Sequence, residues 1–392
     1  MSHRTSVFEA TNVSRPLRIA LLVNPFTLRV KGGDHAPELA RELLGRGHTV
    51  RGFGAPAGAI PRSGPDPESP GGPLDEGVGL FGYAPEAVIA YEALSPAAWL
   101  GARAARRCGA PLLLIENGSS GDGRWKARTL RRIGESLWGG YVRHTCGALA
   151  ALDPLSAEHA IASGFAAERV SLLPPGVDLN LYRPGLSSGL ILRHHIRGRI
   201  LLYVGSIGAG RGLEVLIDAF AQTVGQRQDW SLVLAGDGPL RPSLRARIDR
   251  LGIGSVVHWT GRVRDEELPG LMSASTLLAV PALDASVRGQ NIPRAMAAGL
   301  PVIVSDRPAL RYLVEHEGSG LVAPAGDVAA WSEVLRRASM SPEARKRWSQ
   351  RSRAIAVERL AWSHVASTIE SLLLSARGEM EGAAQRTAPL RG

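Results

Sequence analysis

An α/β chain built as two Rossmann-like domains is the fold class that the sequence predicts. Three observations carry it: short apolar runs of strand length alternate with amphipathic stretches of helix length, the alternation restarts near residue 200, and a segment rich in turn residues separates the two series. With 392 residues and 44% apolar content, the chain has enough material for two cores of ordinary size.

The first series opens with LRIALLV at 17–23, a loop holding Lys31, Gly32 and Gly33, and a helix over about 37–44 that stops at Gly45 and Gly47. A second strand begins at 49–52. The Pro/Gly-rich stretch 54–73 has too little apolar content to pack and reads as a long loop. Strands at 87–90 (AVIA) and 111–115 (PLLLI) follow, with a helix between them. The second series runs strand 200–204, helix 213–223, strand 231–234, helix 240–251 and strand 256–259, then strands 277–280 and 301–304 around a further helix. These breaks place a first domain over 17–182, a linker over 183–199, a second domain over 200–360, and a polar, disordered tail over 377–392.

The net charge of +10 implies anionic partners: nucleotide diphosphates, nucleic acid or an acidic membrane surface. Arg-rich RWKARTLRR at 124–132 reads as a solvated helix face or as a membrane- or anion-facing patch. Nucleic-acid readers add interleaved aromatics or a reading module, and neither is visible, which argues against nucleic acid. Cys108 and Cys146 have neither metal-ligand spacing nor a paired framework, so a reducing compartment is expected. No apolar run approaches the ~18 residues of a membrane span. The expected location is therefore the cytoplasm, with at most peripheral contact to the inner membrane face.

The motifs of the second series then come in a fixed order: LYVGSIGAGRG at 202–212, LVLAGDGP at 232–239, WTGRV at 259–263, DEEL at 265–268, PRAMAAGLPVIVSD at 293–306 and GLVAPAGD at 320–327. With the pair Gly32 and Gly33 and LPPGVDLNLYRP at 173–184, this order resembles family 4 of the glycosyltransferases, the group 1 glycosyl transferases. The resemblance covers about residues 18–374. It implies the GT-B fold, two Rossmann-like domains facing a central cleft, with a C-terminal helix over 361–376 that returns to the first domain. It also implies a nucleotide-sugar donor, an acceptor glycan, lipid or small molecule, retention of configuration, and no metal or other cofactor.

Carried onto this chain, the resemblance places the donor against Gly32, Gly33, Ser206, Arg211, Gly236, Arg262, Val263, Ser286, Arg288, Gly289, Gln290, Asn291, Ile292 and Arg294. Glycines at the carboxyl ends of parallel strands suit this, because backbone N–H groups there can approach phosphate closely, although tight turns need glycine on their own account. Several positions depart from the family pattern. Ser206 stands where a cation is customary and leaves Arg211 as the charged contact to diphosphate. The family's paired glutamates fall at Ser286 and Arg294, and a guanidinium donates only, so Arg294 cannot accept hydrogen bonds from ribose. Asp284 replaces the first glutamate if the loop carries an insertion.

In the first domain His35 and Asn117 are the catalytic-side candidates, together with Arg211 in the second. Tyr91-Glu92 and Glu116-Asn117-Gly118 occupy places where relatives carry histidines. His48 reads as ordinary surface, and His144, His159 and His364 as helix residues without a partner pattern. The alternative function is a GT-B protein that has lost transfer activity and serves as a binding or partner subunit. An epimerase lacks its acid/base set here, and a dinucleotide-dependent oxidoreductase lacks the glycine spacing and ribose-binding acid after the first strand.

Overall fold

The computed structural model describes residues 15–23, 35–54, 78–117, 134–225, 229–314 and 318–387. The chain divides into two compact units, 1–176 with 362–392, and 177–361. Gly32, Gly33, the arginine-rich stretch 124–132 and residues 55–73 of the expected long loop lie outside the described residues.

The sheet of the first unit holds six parallel strands: β1 Arg18–Leu22, β2 Thr49–Phe53, β3 Ala87–Tyr91, β4 Leu112–Glu116, β5 Cys146–Ala151 and β6 Val170–Leu172. Their spatial order is β2-β1-β3-β4-β5-β6. Successive residues serve opposite faces. Ile19, Leu21, Leu113 and Ile115 pack with the helix His35–Gly45 and with Val365, Ile369 and Leu373 of the C-terminal helix Trp362–Thr387. Ala20, Leu22, Leu112 and Leu114 pack on the other face with the helix Pro96–Cys108. Burial on both faces explains why these strands read as unbroken apolar runs and not as alternating ones. Ser95 caps the helix Pro96–Cys108, its hydroxyl accepting from Ala98 N at 3.1 Å, and Gly109 ends it in the left-handed conformation.

The second unit repeats the design with β7 Arg199–Val204, β8 Trp230–Ala235, β9 Val257–Gly261, β10 Leu277–Val280, β11 Val302–Ser305 and β12 Gly320–Ala323. The order is β12-β11-β10-β7-β8-β9, all parallel, so the chain changes direction of winding between β7 and β10. Ile200 and Leu202 belong to one core face, with Met296 and Ile355; Leu201 and Tyr203 belong to the other, with Phe220 and Trp331.

Three boundaries differ from the sequence reading. The expected linker 183–199 is part of the second unit: it contains the helix Gly189–Arg193, and Leu190 and Ile196 join Tyr182 in its core. The Pro, Gly and Ser content of that stretch masked its few apolar anchors. The second unit also starts earlier, at Val177, whose N–H donates to Leu360 O at 2.8 Å. At the far end, the expected tail from 377 is helical to Thr387, in continuity with the helix that begins at Trp362. Its Ala, Glu and Arg residues are good helix formers.

His48 is the fourth correction. It is not a surface residue but is buried, with Leu17 N donating to its Nδ1 at 3.1 Å and its Nε2 at 2.8 Å from Glu370 Oε1. A ring nitrogen that accepts from a backbone N–H carries no proton, so the proton sits on Nε2 and is donated to Glu370. Arg46 completes the network with two bonds of 2.7 Å to the same carboxylate. The C-terminal helix is thereby fixed to the first unit by a carboxylate that is only 3% exposed. Burial pushes the Glu370 carboxyl up, but the hydrogen bonds from Arg46 and His48 outweigh it and hold the group below its ordinary value. We expect Glu370→Ala to destabilise the first unit by ~3 kcal/mol, because it strands the half-buried Arg46 and the buried His48. The stabilisation is present above the ordinary glutamate value of 4.5 and lost as pH falls through the lowered folded value, so acid unfolding of Glu370→Gln should be less steep than that of wild type. Denaturant melts between pH 3 and 7 check both.

Candidate functional site

In open parallel sheets, ligands bind beyond the carboxyl ends of the strands where the winding changes direction. In the second unit that point lies between β7 and β10, and the loops that follow these strands are packed on each other. Leu283 N and Asp284 N both donate to Gly210 O, at 2.9 and 3.0 Å. Gly212 has φ +68°, and a Cβ there would stand 1.7 Å from Pro281 O. The loop after β8 joins from the other side: Ile207 N donates to Asp237 O at 3.0 Å, and a Cβ on Gly236 would stand 1.7 Å from Gly205 O. Gly236 is thus required by backbone packing. Gly208 differs, since nothing lies within 4 Å of where its Cβ would be.

Around this junction the structure brings together several of the candidates. Ser206 is half-buried, and its carbonyl accepts from the Tyr203 hydroxyl at 2.8 Å. Burial pushes the Tyr203 phenol up to about 12, with Arg211 pulling it partly back, so the phenol is a permanent donor and Arg211 lies within electrostatic reach of it. Asn291, at the start of the helix Asn291–Ala297, donates from Nδ2 to Val204 O at 3.2 Å, which ties that helix to the end of β7. Ile292 is buried beneath it. Gly289 has φ +64°, and a Cβ there would press on Ile292 and Leu310 at 2.5 and 2.6 Å, so the turn into the helix needs glycine. Arg288 and Gln290 lie in the same loop, the first half-buried and the second exposed.

Asp284 turns the loop. Its Oδ1 accepts from Ser286 N at 2.8 Å, a local side-chain turn that aspartate makes readily. Bonds from the Ser286 backbone and hydroxyl, and then the positive fields of Arg211 and Arg307, hold the carboxyl below its ordinary value against the effect of burial. Arg307 was not among the sequence candidates. It stands two residues beyond β11, half-buried, with its Nε enclosed and without a hydrogen-bond partner among the described residues. Its position just past a strand end beside the change in winding is the signal that could have found it.

Other candidates stand apart. Arg294 lies over the Tyr182 ring, 5.6 Å from its centre, and Nη1 is 3.5 Å from Asn291 Oδ1. An aromatic face and an amide are thus among its contacts. Arg262 and Val263 follow β9, the edge strand two places from β7; Arg262 is exposed, and Val263 packs on the core.

The first unit has its own cluster at the carboxyl ends of its strands. His35 opens the helix His35–Gly45, its Nδ1 2.7 Å from the Tyr91 hydroxyl and its ring edge-on to Trp362 at 5.0 Å. Burial pulls the imidazole down to about 4 and pushes the Tyr91 phenol well above its ordinary value, so both groups are neutral at pH 7. His35 Nε2 is enclosed without a partner among the described residues. Glu92, directly after β3, adopts φ +62°, a left-handed conformation that costs a non-glycine residue about 1 kcal/mol and is concentrated at functional strand ends. Asn117 follows β4 and is half-buried; beside it Glu116 Oε2 accepts from Ala93 N at 3.1 Å.

The geometry thus defines a doubly wound α/β protein with two units, the second carrying a glycine-packed junction of loops flanked by arginines. Comparison with known proteins makes this specific. Residues 193–355 match the family described as Glycosyl transferases group 1. Alpha-D-kanosaminyltransferase of Streptomyces kanamyceticus is 31% identical over 151 residues, 38% of this chain and 39% of that protein. MMP alpha-(1->4)-mannosyltransferase of Mycolicibacterium hassiacum is 30% identical over 204 residues, 51% of this chain and 47% of that protein. The crystal structure of HepE from Anabaena in complex with UDP has a TM-score of 0.71 and 20% identity, covering 91% of this chain and 100% of that one. The chain therefore spans less than half the length of these two curated relatives, and its fold is GT-B.

Two outcomes follow from this geometry. Gly236→Ala should lower the stability of the second unit by more than ~2 kcal/mol, since the added methyl meets a carbonyl of a packed loop, whereas Gly208→Ala should leave it within ~0.5 kcal/mol. For His35 the folded value is depressed, so its stabilising contribution is full above 6.5 and is lost as pH falls from 6.5 to about 4. His35→Phe should flatten that part of the stability profile in melts across the same range.

Proposed function

We propose that the protein is a retaining glycosyltransferase of family 4, which moves a sugar from a nucleotide-diphosphate donor to a glycan, lipid or small-molecule acceptor. The observation that carries this reading is the loop junction at the switch point of the second unit, with Arg211 beside the open Gly208. UDP in the HepE complex and the glycosyl transfer in the names of the relatives support a nucleotide-sugar donor. In this reading the second unit holds the nucleotide diphosphate, through Arg211 and the backbone N–H groups of residues 206–211. The loop from Ser286 to Asn291 takes the ribose and sugar. Arginine meets the diphosphate charge, and no metal is needed. The departing diphosphate accepts the acceptor's proton on the face it leaves, so no protein nucleophile is required and the loss of paired glutamates does not by itself abolish transfer.

His35 and Asn117 are the polar groups that the first unit contributes to the acceptor side. A neutral His35 can donate or accept one hydrogen bond from Nε2 but brings no charge to the reaction. No helix among the described residues is long and apolar enough to cross a membrane. We assign the protein to the cytoplasm, in contact at most with the surface of an acidic membrane. On the helix Pro96–Cys108, Arg103 lies 5.0 Å over Trp99 and Arg107 lies 5.1 Å over Phe81, a combination of amphipathic ring and cation suited to anionic headgroups. One observation favours a second reading, a partner subunit without transfer activity: Arg294 is engaged with Tyr182 in place of the customary carboxylate.

A thermal-shift screen of nucleotide sugars, followed by calorimetry with the nucleoside diphosphate that stabilises most, tests the proposal. Arg211→Ala should weaken that nucleoside diphosphate by about 10- to 100-fold, the worth of a charge-assisted bond, while Arg262→Ala changes it less than about twofold. Equal affinity for wild type and the Arg211 variant would sink the assignment of Arg211. Binding without turnover on any donor and acceptor mixture would favour the partner subunit.

A further inference from the structure

Arg307 is half-buried, and one of its donors is enclosed without a partner. That donor is Nε, which has no hydrogen-bond partner among the described residues. Buried polar groups in native structures are nearly always satisfied, and a guanidinium has five donors and no means of giving up its charge. The two nearby acids are otherwise engaged. Asp284 accepts from Ser286 N, and Asp306 Oδ1 accepts from Ala325 N at 3.0 Å.

Its place in the sheet says what it lacks. Val304 of β11 pairs with Val280 of β10, so Arg307 and Asp284 leave neighbouring strands at the same carboxyl edge. Asp284 is packed against Gly210, one residue before Arg211, and it lies in the positive fields of both Arg211 and Arg307. The two guanidinium groups therefore flank the same loop junction from β7 and from β11. The family resemblance places a second cation where Ser206 stands on the β7 side, and a carboxylate, which would repel a further anion, where Ser286 stands on the β10 side.

From this arrangement we infer that Arg307 binds an anionic oxygen group of the donor, taking over from β11 the role of the cation missing at Ser206. The inference rests on the nucleotide-sugar reading above. Two sources supply such a group: the diphosphate itself, or a carboxylate on an acidic donor sugar. Both offer the planar or pyramidal oxygen pair that a guanidinium bonds in bidentate fashion.

The test compares wild type, Arg307→Met and Arg307→Lys in calorimetry with UDP, GDP, UDP-glucose and UDP-glucuronate, and in melts without ligand. Arg307→Met should leave the Tm of the free protein unchanged or raised, because it removes a buried unpaired donor and keeps the aliphatic stem. The same variant should bind the preferred nucleotide at least tenfold more weakly, with part of the affinity restored in Arg307→Lys. An equal loss for UDP and for both sugar conjugates assigns the group to the diphosphate. A loss confined to UDP-glucuronate assigns it to the sugar carboxylate. Unchanged affinity in Arg307→Met for every probe that wild type binds overturns the role of Arg307 and leaves the donor reading intact. A lower Tm in both variants with no restoration by lysine identifies a packing role and also overturns it. If wild type binds none of the four and no nucleotide sugar in the thermal-shift screen, the donor reading itself fails.

Discussion

The second unit depends on one constraint, the contact of backbone against backbone where the loops after β7, β8 and β10 meet. Gly236 against the Gly205 carbonyl, Gly212 against Pro281 O and Gly210 against Asp284 leave no room for a side chain, and main-chain hydrogen bonds cross the same junction. Such close packing makes the rim of the sheet rigid without filling it, since Gly208 remains open. The helix Asn291–Ala297 is drawn into the same assembly by Asn291 on Val204 O. A ligand bound at this rim meets backbone amides whose positions are already set by folding, which is what preorganised recognition of charge requires.

This constraint changes how the glycines of the sequence are understood. Read alone, a glycine-rich turn after a strand suggests phosphate, because only glycine admits an anion close to the backbone. Gly236, Gly238 and Gly212 instead admit another loop, and it is their packing that holds the remaining amides in place. The sequence pattern is identical in the two cases because both need a missing Cβ. Only the position of the neighbouring carbonyl separates them.

Much of the fold was legible for the opposite reason. Runs such as LRIALLV and ILLYV bury both faces, so their apolar character survives every detail of packing. What escaped was structure held by few or ambiguous residues. The alanine-rich β5 gives no strand signal, the helix Gly189–Arg193 hides among prolines, glycines and serines, and His48 is polar yet sealed beneath the C-terminal helix by a partner 322 residues away. Ser206, Arg211, Ser286 and Asn291, named from motif order, lie on loops that meet at one junction. Arg307 was missed because nothing in its local sequence distinguishes it from a surface arginine, and its meaning comes from the strand it follows.

The departures at Ser206, Ser286 and Arg294 gain coherence from this placement. Under the family resemblance each stands in place of a group that would engage the donor, a cation beside the diphosphate or a carboxylate beside a hydroxyl. Taken singly they resemble decay. Yet Arg294 rests on Tyr182, Asp284 is turned by Ser286 into a loop between two arginines, and the glycines that fit the loops together are all in place. Removing a carboxylate from the rim of a site and adding a guanidinium on the next strand both shift the local potential in the same direction, toward anions. A site that had merely lost its ligand would carry no pressure to hold a half-buried arginine without a partner, since an apolar residue of similar shape would pack there more stably. On the proposed reading, the unpartnered Nε of Arg307 is the feature by which a rebuilt anion site differs from an abandoned one.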